Sequence, residues 1–231
     1  MKKFLLFFAA LTAAGALSAH AQSITVTTNT TWNSLTNDPL TRVFTSTTSQ
    51  QNGGVITNSN AAMQQTFTAT DAFSAQEFHI RYRQGGSFNL SIFEVANANQ
   101  ANPLTLGAQL FTASVDLPVT PTTTNTVTGI FTLATPLALS NGAYAFQLSP
   151  LLDSIIEWRR TTTSNAVGGV FPGDTYADGR AYIVPSEGFN NNFNAGSSEF
   201  ALAVVAVPEP TTISLVLASL GALYLGMRRR R

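Results

Sequence analysis

Hydrophobic and polar residues alternate in short runs through the middle of the chain. In residues 76–83, Phe78, Ile80 and Tyr82 fall on one face, and Glu77, His79, Arg81 and Arg83 on the other. Phe88, Leu90 and Ile92 share a face, as do Tyr144, Phe146 and Leu148, and again Phe200, Leu202 and Val204. A period of two puts successive side chains on opposite sides of the backbone, so each run predicts a strand with one buried face. Weaker versions predict strands over 24–28, 42–45, 64–70, 110–115, 127–133, 155–161 and 180–184. Gly85-Gly86, Asn141-Gly142 and Asp178-Gly179 fall between runs and predict turns. Many short strands with no helical period between them predict an all-β fold, an antiparallel β-sandwich of jelly-roll type. Residues 22–60, rich in Thr and Asn and weaker in alternation, predict a partly irregular edge.

Both ends of the chain break the pattern. Lys2 and Lys3 precede an apolar run over 4–17 interrupted only by Thr12 among polar residues, and Ala19-His20-Ala21 follows. A basic start, an apolar centre and an A-x-A site predict a signal peptide over 1–21, handled by the Sec machinery and signal peptidase, with Gln22 as the mature start. At the other end, Pro208-Glu209-Pro210 precedes a mostly apolar run over 213–227, and Arg228, Arg229, Arg230 and Arg231 close the chain. As a helix that run spans roughly 22 Å, short of the ~30 Å hydrocarbon core, and snorkelling arginines with local thinning make up the difference. Arginines stay on the cytoplasmic side, which places 22–206 outside, as the signal peptide also does. The expected organisation is a signal peptide over 1–21, a mature β domain over 22–206 and a tail with a single transmembrane helix over 207–231.

Pro208-Glu209-Pro210, a short apolar helix and a terminal arginine cluster resemble the PEP-CTERM sorting signal of Gram-negative bacteria. The resemblance covers the last 25 residues or so and implies recognition by a membrane-embedded exosortase. It implies cleavage near Pro-Glu-Pro, much as a GPI signal loses its apolar tail, and a setting at the cell surface or in an exopolysaccharide-rich biofilm matrix. A plain C-terminal anchor behind a stiff linker is the other reading of the same residues. A second resemblance, over 64–205, is to a jelly-roll module of bacterial surface proteins, akin in layout to galactose-binding-like domains. It rests on Gln65-Thr66-Phe67-Thr68, on the strand from Phe88 to Val95, on Leu139-Ser140-Asn141-Gly142-Ala143-Tyr144, and on Tyr176-Ala177-Asp178-Gly179-Arg180-Ala181-Tyr182.

Charge narrows the partners. The formal net charge of zero conceals a partition, because six of the twelve basic residues lie in the terminal segments. Residues 22–206 carry six Arg against eleven acids, a net charge of −5. A negative region with no run of basic residues argues against nucleic acid as a partner. There is no cysteine, so neither disulfides nor thiolate chemistry is available, and sixteen Phe supply material for a core.

Candidate chemistry is sparse. Once the signal peptide leaves, His79 is the one histidine, read as a surface residue between Glu77 and Arg81. No G-x-S-x-G elbow accompanies it, and zinc sites of the Cys/His kind are excluded by inventory. No cofactor is expected. Asp153 with Glu157, or Asp174 with Asp178, are the carboxylate pairs that a polysaccharide hydrolase would need. Asp174 and Asp178 are also candidates for Ca²⁺, against ordinary Asp-Gly turn chemistry. Trp158, Arg160, Tyr176 and Tyr182 form the candidate glycan-binding set, with core packing of Trp158 as its competitor. The leading expectation is a non-catalytic surface or matrix protein associated with exopolysaccharide. A secreted carboxylate-based hydrolase is the alternative, and ice binding through Thr25, Thr27 and the Thr122-Thr123-Thr124 run is a remote third.

Overall fold

The computed structural model describes residues 23–29, 32–45, 54–56, 61–100, 104–120, 126–151, 154–161, 179–185 and 199–207. Among these the chain forms β1 (Ile24–Asn29), a 3-10 turn (Asn33–Asn37), β2 (Thr41–Phe44), β3 (Gly54–Ile56), β4 (Ala61–Ala69) and β5 (Phe73–Val95). Then follow β6 (Leu106–Leu117), β7 (Val127–Leu139), β8 (Gly142–Pro150), β9 (Ile155–Trp158), β10 (Arg160–Thr161), β11 (Ala181–Pro185), β12 (Glu199–Phe200) and β13 (Leu202–Ala206). Every pairing is antiparallel. The all-β class and most strands read from alternation are therefore present. The 3-10 turn and β3 lie within the segment read as an irregular edge.

Two layers share β5. One runs β1–β7–β5–β13–β2, with β9 and β3 extending it beside residues 82–85 of β5. The other runs β6–β5–β8–β4–β11. Gly85-Gly86, read as a turn between two strands, is instead a bend inside one continuous strand. Phe73 pairs with Leu139 and Val95 with Ala143 just beyond the Ser140-Asn141 corner, so both ends of β5 lie at the same end of the molecule. The strand crosses between layers at Gln84, whose φ is 61°, a left-handed backbone that side chains rarely adopt. A Cβ at Gly85 would overlap the carbonyl oxygens of Leu117 and Pro118, and one at Gly86 would lie 2.8 Å from the Ser154 Cβ. Only glycine lets the backbone approach its neighbours this closely.

The inward faces meet in an aromatic core. Phe146 of the second layer packs against Phe78 and Phe131 of the first, with ring centroids 5.6 and 5.9 Å apart. It meets Trp158 edge-on at 5.5 Å, and Trp158 stacks on Phe200 at 4.7 Å. Burying each such side chain is worth roughly 1.5–3 kcal/mol or more, so these rings stand in for the missing disulfides.

A smaller cluster lies on the outer side of the first layer. Trp32 and Leu35, with Leu40 and Phe44, cover Ala201, Ala203 and Val205. These alternate with Leu202 and Val204 of the main core, so β13 is buried on both faces. The run Ala201-Leu202-Ala203-Val204-Val205-Ala206 carries that signal, because a strand apolar at every position is covered on both sides.

Candidate functional site

β5 and β9 assemble the densest group of charges among the described residues. Tyr82 pairs with Trp158 and Arg83 with Glu157, so the aromatic pair points inward and the charged pair outward. One Glu157 carboxylate oxygen accepts from Arg83 Nε, and the other accepts from Arg159 Nη1 at 2.8 Å. The Arg159 N–H donates to the Arg81 carbonyl at 2.8 Å, which makes Arg81 the cross-strand neighbour of Arg159. Burial, and secondarily the charge of Arg159, lowers the Arg81 pKa from the usual arginine value. The sequence showed no run of basic residues, yet pairing gathers three of the six arginines of 22–206 on one face. The legible signal was arginine at alternate positions of two strands, Arg81 and Arg83 on one, Arg159 beside Glu157 on the other. With both oxygens of Glu157 held by guanidinium groups, the geometry is that of a largely desolvated ion-pair anchor.

The glycan-binding candidates separate. Trp158 is fully buried, stacked on Phe200, and its Nε1–H donates to the Ala201 carbonyl at 2.9 Å. Tyr182 is 5% exposed, and its hydroxyl donates to the Gln100 carbonyl at 2.7 Å. Neither ring offers a face to a ligand: Trp158 lies in the main core, and Tyr182 is buried on edge strand β11. The backbone of Arg160 pairs with Phe200 in the short β10–β12 ladder. Tyr176, Asp153, Asp174, Asp178 and the Thr122-Thr123-Thr124 run lie outside the described residues. So do Ala19, Ala21 and Gln22, the motif Pro208, Glu209 and Pro210, and Arg228, Arg229, Arg230 and Arg231. Among the described residues no three His, Cys, Asp or Glu side chains form a group able to hold a metal, and no helix is long and apolar enough to cross a membrane. The apolar run over 213–227 also lies outside those residues. Thr25 and Thr27 lie exposed on the outward side of edge strand β1.

His79 departs from the surface reading. It is 5% exposed, and its Nε2 lies 2.7 Å from Glu77 Oε2. Thr132 Oγ1 donates to the other Glu77 oxygen at 3.4 Å. Its Nδ1 is buried with no hydrogen-bond partner, which fits a neutral ring carrying its proton on Nε2. Burial lowers the His79 pKa below its usual 6.5, against the opposing pull of Glu77 and, more distantly, Asp38. The outward face of β5 is covered where sequence alternation alone would leave it wet. In register, His79 lies beside Ala203, which the Trp32–Phe44 cluster covers.

The junctions with the terminal segments are the remaining feature. The Ser23 carbonyl accepts from Ala134 N–H at 3.1 Å, and β1 begins at the next residue. Val207 N–H donates to the Ser74 carbonyl at 2.9 Å, one residue after β13 ends. Thr25 aligns with Thr132, Thr132 with Glu77, and Glu77 with Val205. Both ends of the domain therefore leave the same end of the first layer, three strand spacings apart, ~14 Å. The Arg83–Glu157–Arg159 group lies beside the bend of β5, at the opposite end of the first layer, about 26 Å from Ala75 at ~3.3 Å per residue.

β13, buried on both faces, ends at Ala206, and Pro208-Glu209-Pro210 follows two residues later in the sequence. Residues 206–231 match the family model for the PEP-CTERM protein-sorting motif. The chain carries that motif, which marks it as exported and exosortase-sorted, with its membrane-anchoring sorting signal at the C-terminus. No curated protein and no solved structure matches the chain.

Proposed function

We propose that residues 22–206 form a non-catalytic domain delivered to the cell surface or extracellular matrix of a Gram-negative bacterium, where it has a structural or adhesive role in association with exopolysaccharide. The sorting motif carries this reading, because it ties the domain's destination to an exosortase. The signal-peptide pattern at the other end, calling for Sec and signal peptidase, supports the same route. Support for a non-catalytic role comes from how the described polar groups are used. Glu157 is engaged by Arg83 and Arg159, and His79 by Glu77, so each is committed to a partner inside the fold.

The test is fractionation of the native host. The protein is expected with the exopolysaccharide, released when that polymer is depolymerised, and without generating new reducing ends on it. Retention in the inner membrane, or the appearance of reducing ends with purified protein, contradicts the proposal.

A further inference from the structure

Four observations converge on one end of the domain. Ser23 and Val207, the first and last described residues, are hydrogen-bonded there to the adjacent strands β7 and β5, at Ala134 and Ser74. β13 lies between β5 and β2 rather than at a frayed edge, so Val207 is fixed relative to the fold. Only residues 208–212 separate Val207 from the apolar run that starts at Ile213, and two of them are proline. At full extension the six steps from Val207 to Ile213 reach no more than ~22 Å. Until signal peptidase cuts before Gln22, residues 18–22 link Ser23 to the apolar centre of the leader in the same way, a reach of similar size.

We infer that this end of the sandwich faces the lipid bilayer while the chain awaits sorting. It comprises Ser23, Ser74, Ala134, the Thr70-Asp71 and Ser140-Asn141 corners, and Val207. The partner is the outer leaflet, against which the exosortase must work, and the inference rests on the sorting reading above. The short link from Val207 to the apolar run holds this end near the membrane, so the opposite end, with Val119, the Gly85-Gly86 bend and the Arg83–Glu157–Arg159 group, points away from it. The geometry also orders events. β13 cannot join β5 until residue 206 has crossed the membrane, so the fold closes only when the tail is already in place. The sorting protease then receives a folded substrate whose cleavable segment lies directly beneath it.

The absence of cysteine permits a direct test with single-cysteine variants of the full chain in phosphatidylethanolamine/phosphatidylglycerol vesicles. Asn141→Cys reports the near end and Val119→Cys, at a residue 72% exposed, the far end. With a fluorophore on each, a doxyl-labelled lipid is expected to quench the label at 141 at least threefold more than that at 119. Equal quenching, or more at 119, overturns the orientation. Asp71→Cys, at the same corner as Asn141, repeats the measurement if a label at 141 disturbs folding, as judged by near-ultraviolet circular dichroism. A flexible twelve-residue Gly/Ser insertion between Val207 and Pro208, paired with removal of residues 1–21, is expected to abolish the difference. Its persistence would mean that the surface itself adheres to lipid, and would overturn the tether as the cause. Failure of the full chain to float with the vesicles would instead overturn the membrane role of the terminal segments, and the orientation with it.

Discussion

At the scale of single residues, the interior uses side chains that could pass for surface chemistry. Trp158 makes the clearest case. Trp158→Ala removes the stack on Phe200, the edge contact with Phe146 and the bond to the Ala201 carbonyl. A loss of about 3–5 kcal/mol is expected in urea unfolding of the domain, whereas a ligand platform would leave stability nearly unchanged. Glu157→Ala leaves Arg83 and Arg159 facing each other without their shared carboxylate, and about 3 kcal/mol of destabilisation is expected by the same assay. His79 adds a pH dependence. Its folded-state pKa lies below that of the unfolded chain, so the unfolded state binds the proton more readily. The His79 contribution is complete above about pH 6.5 and is lost as pH falls through the window below it. His79→Gln is expected to flatten that part of the stability profile measured between pH 7.5 and 5, and an unchanged slope would show that other groups cause it.

At the scale of elements, β5 and β13 hold the fold together. Gly85→Val sets a branched side chain against the Leu117 and Pro118 carbonyls where the strand changes layer, and about 2 kcal/mol or more of destabilisation is expected by thermal unfolding. The same substitution at Gly107, on the outer strand β6, meets the Glu94 carbonyl at 3.0 Å and should cost less. Most strands were legible because one-sided burial writes itself as alternation, as Phe78-His79-Ile80-Arg81-Tyr82 shows. The errors have a physical cause in common. Alternation reports which side chains face the main core, but not what covers the other side. His79 and Ala203 lie on an outward face that Trp32, Leu35 and Phe44 close from a distant stretch of chain, and no local pattern announces that contact. Gly85-Gly86 was legible as a break in direction, but whether the ladder stops there depends on β6 and β8, which pair with the strand beyond it. The arginine group was hidden for the same reason, since Arg83 and Glu157 become neighbours only through strand register. The burial of Trp158 and Tyr182 was not legible, because an aromatic residue in a strand reads alike whether it faces a core or a ligand.

At the scale of the whole molecule, the last strand of the domain ends where the sorting signal begins. β13 belongs to the core and ends at Ala206, Val207 is tied to Ser74, and the motif match begins at residue 206. A cut beyond Val207 leaves every strand of the domain in place, whereas a cut inside β13 would strip Leu202 and Val204 from the main core and Ala203 and Val205 from the outer cluster. The sorting account therefore fixes where processing can fall. Intact mass spectrometry of the protein recovered from the native host tests it most directly. The account predicts a chain that starts at Gln22 and ends beyond Val207, near Pro208-Glu209-Pro210, without the terminal arginines. A mature protein that still carries Arg231 would contradict it.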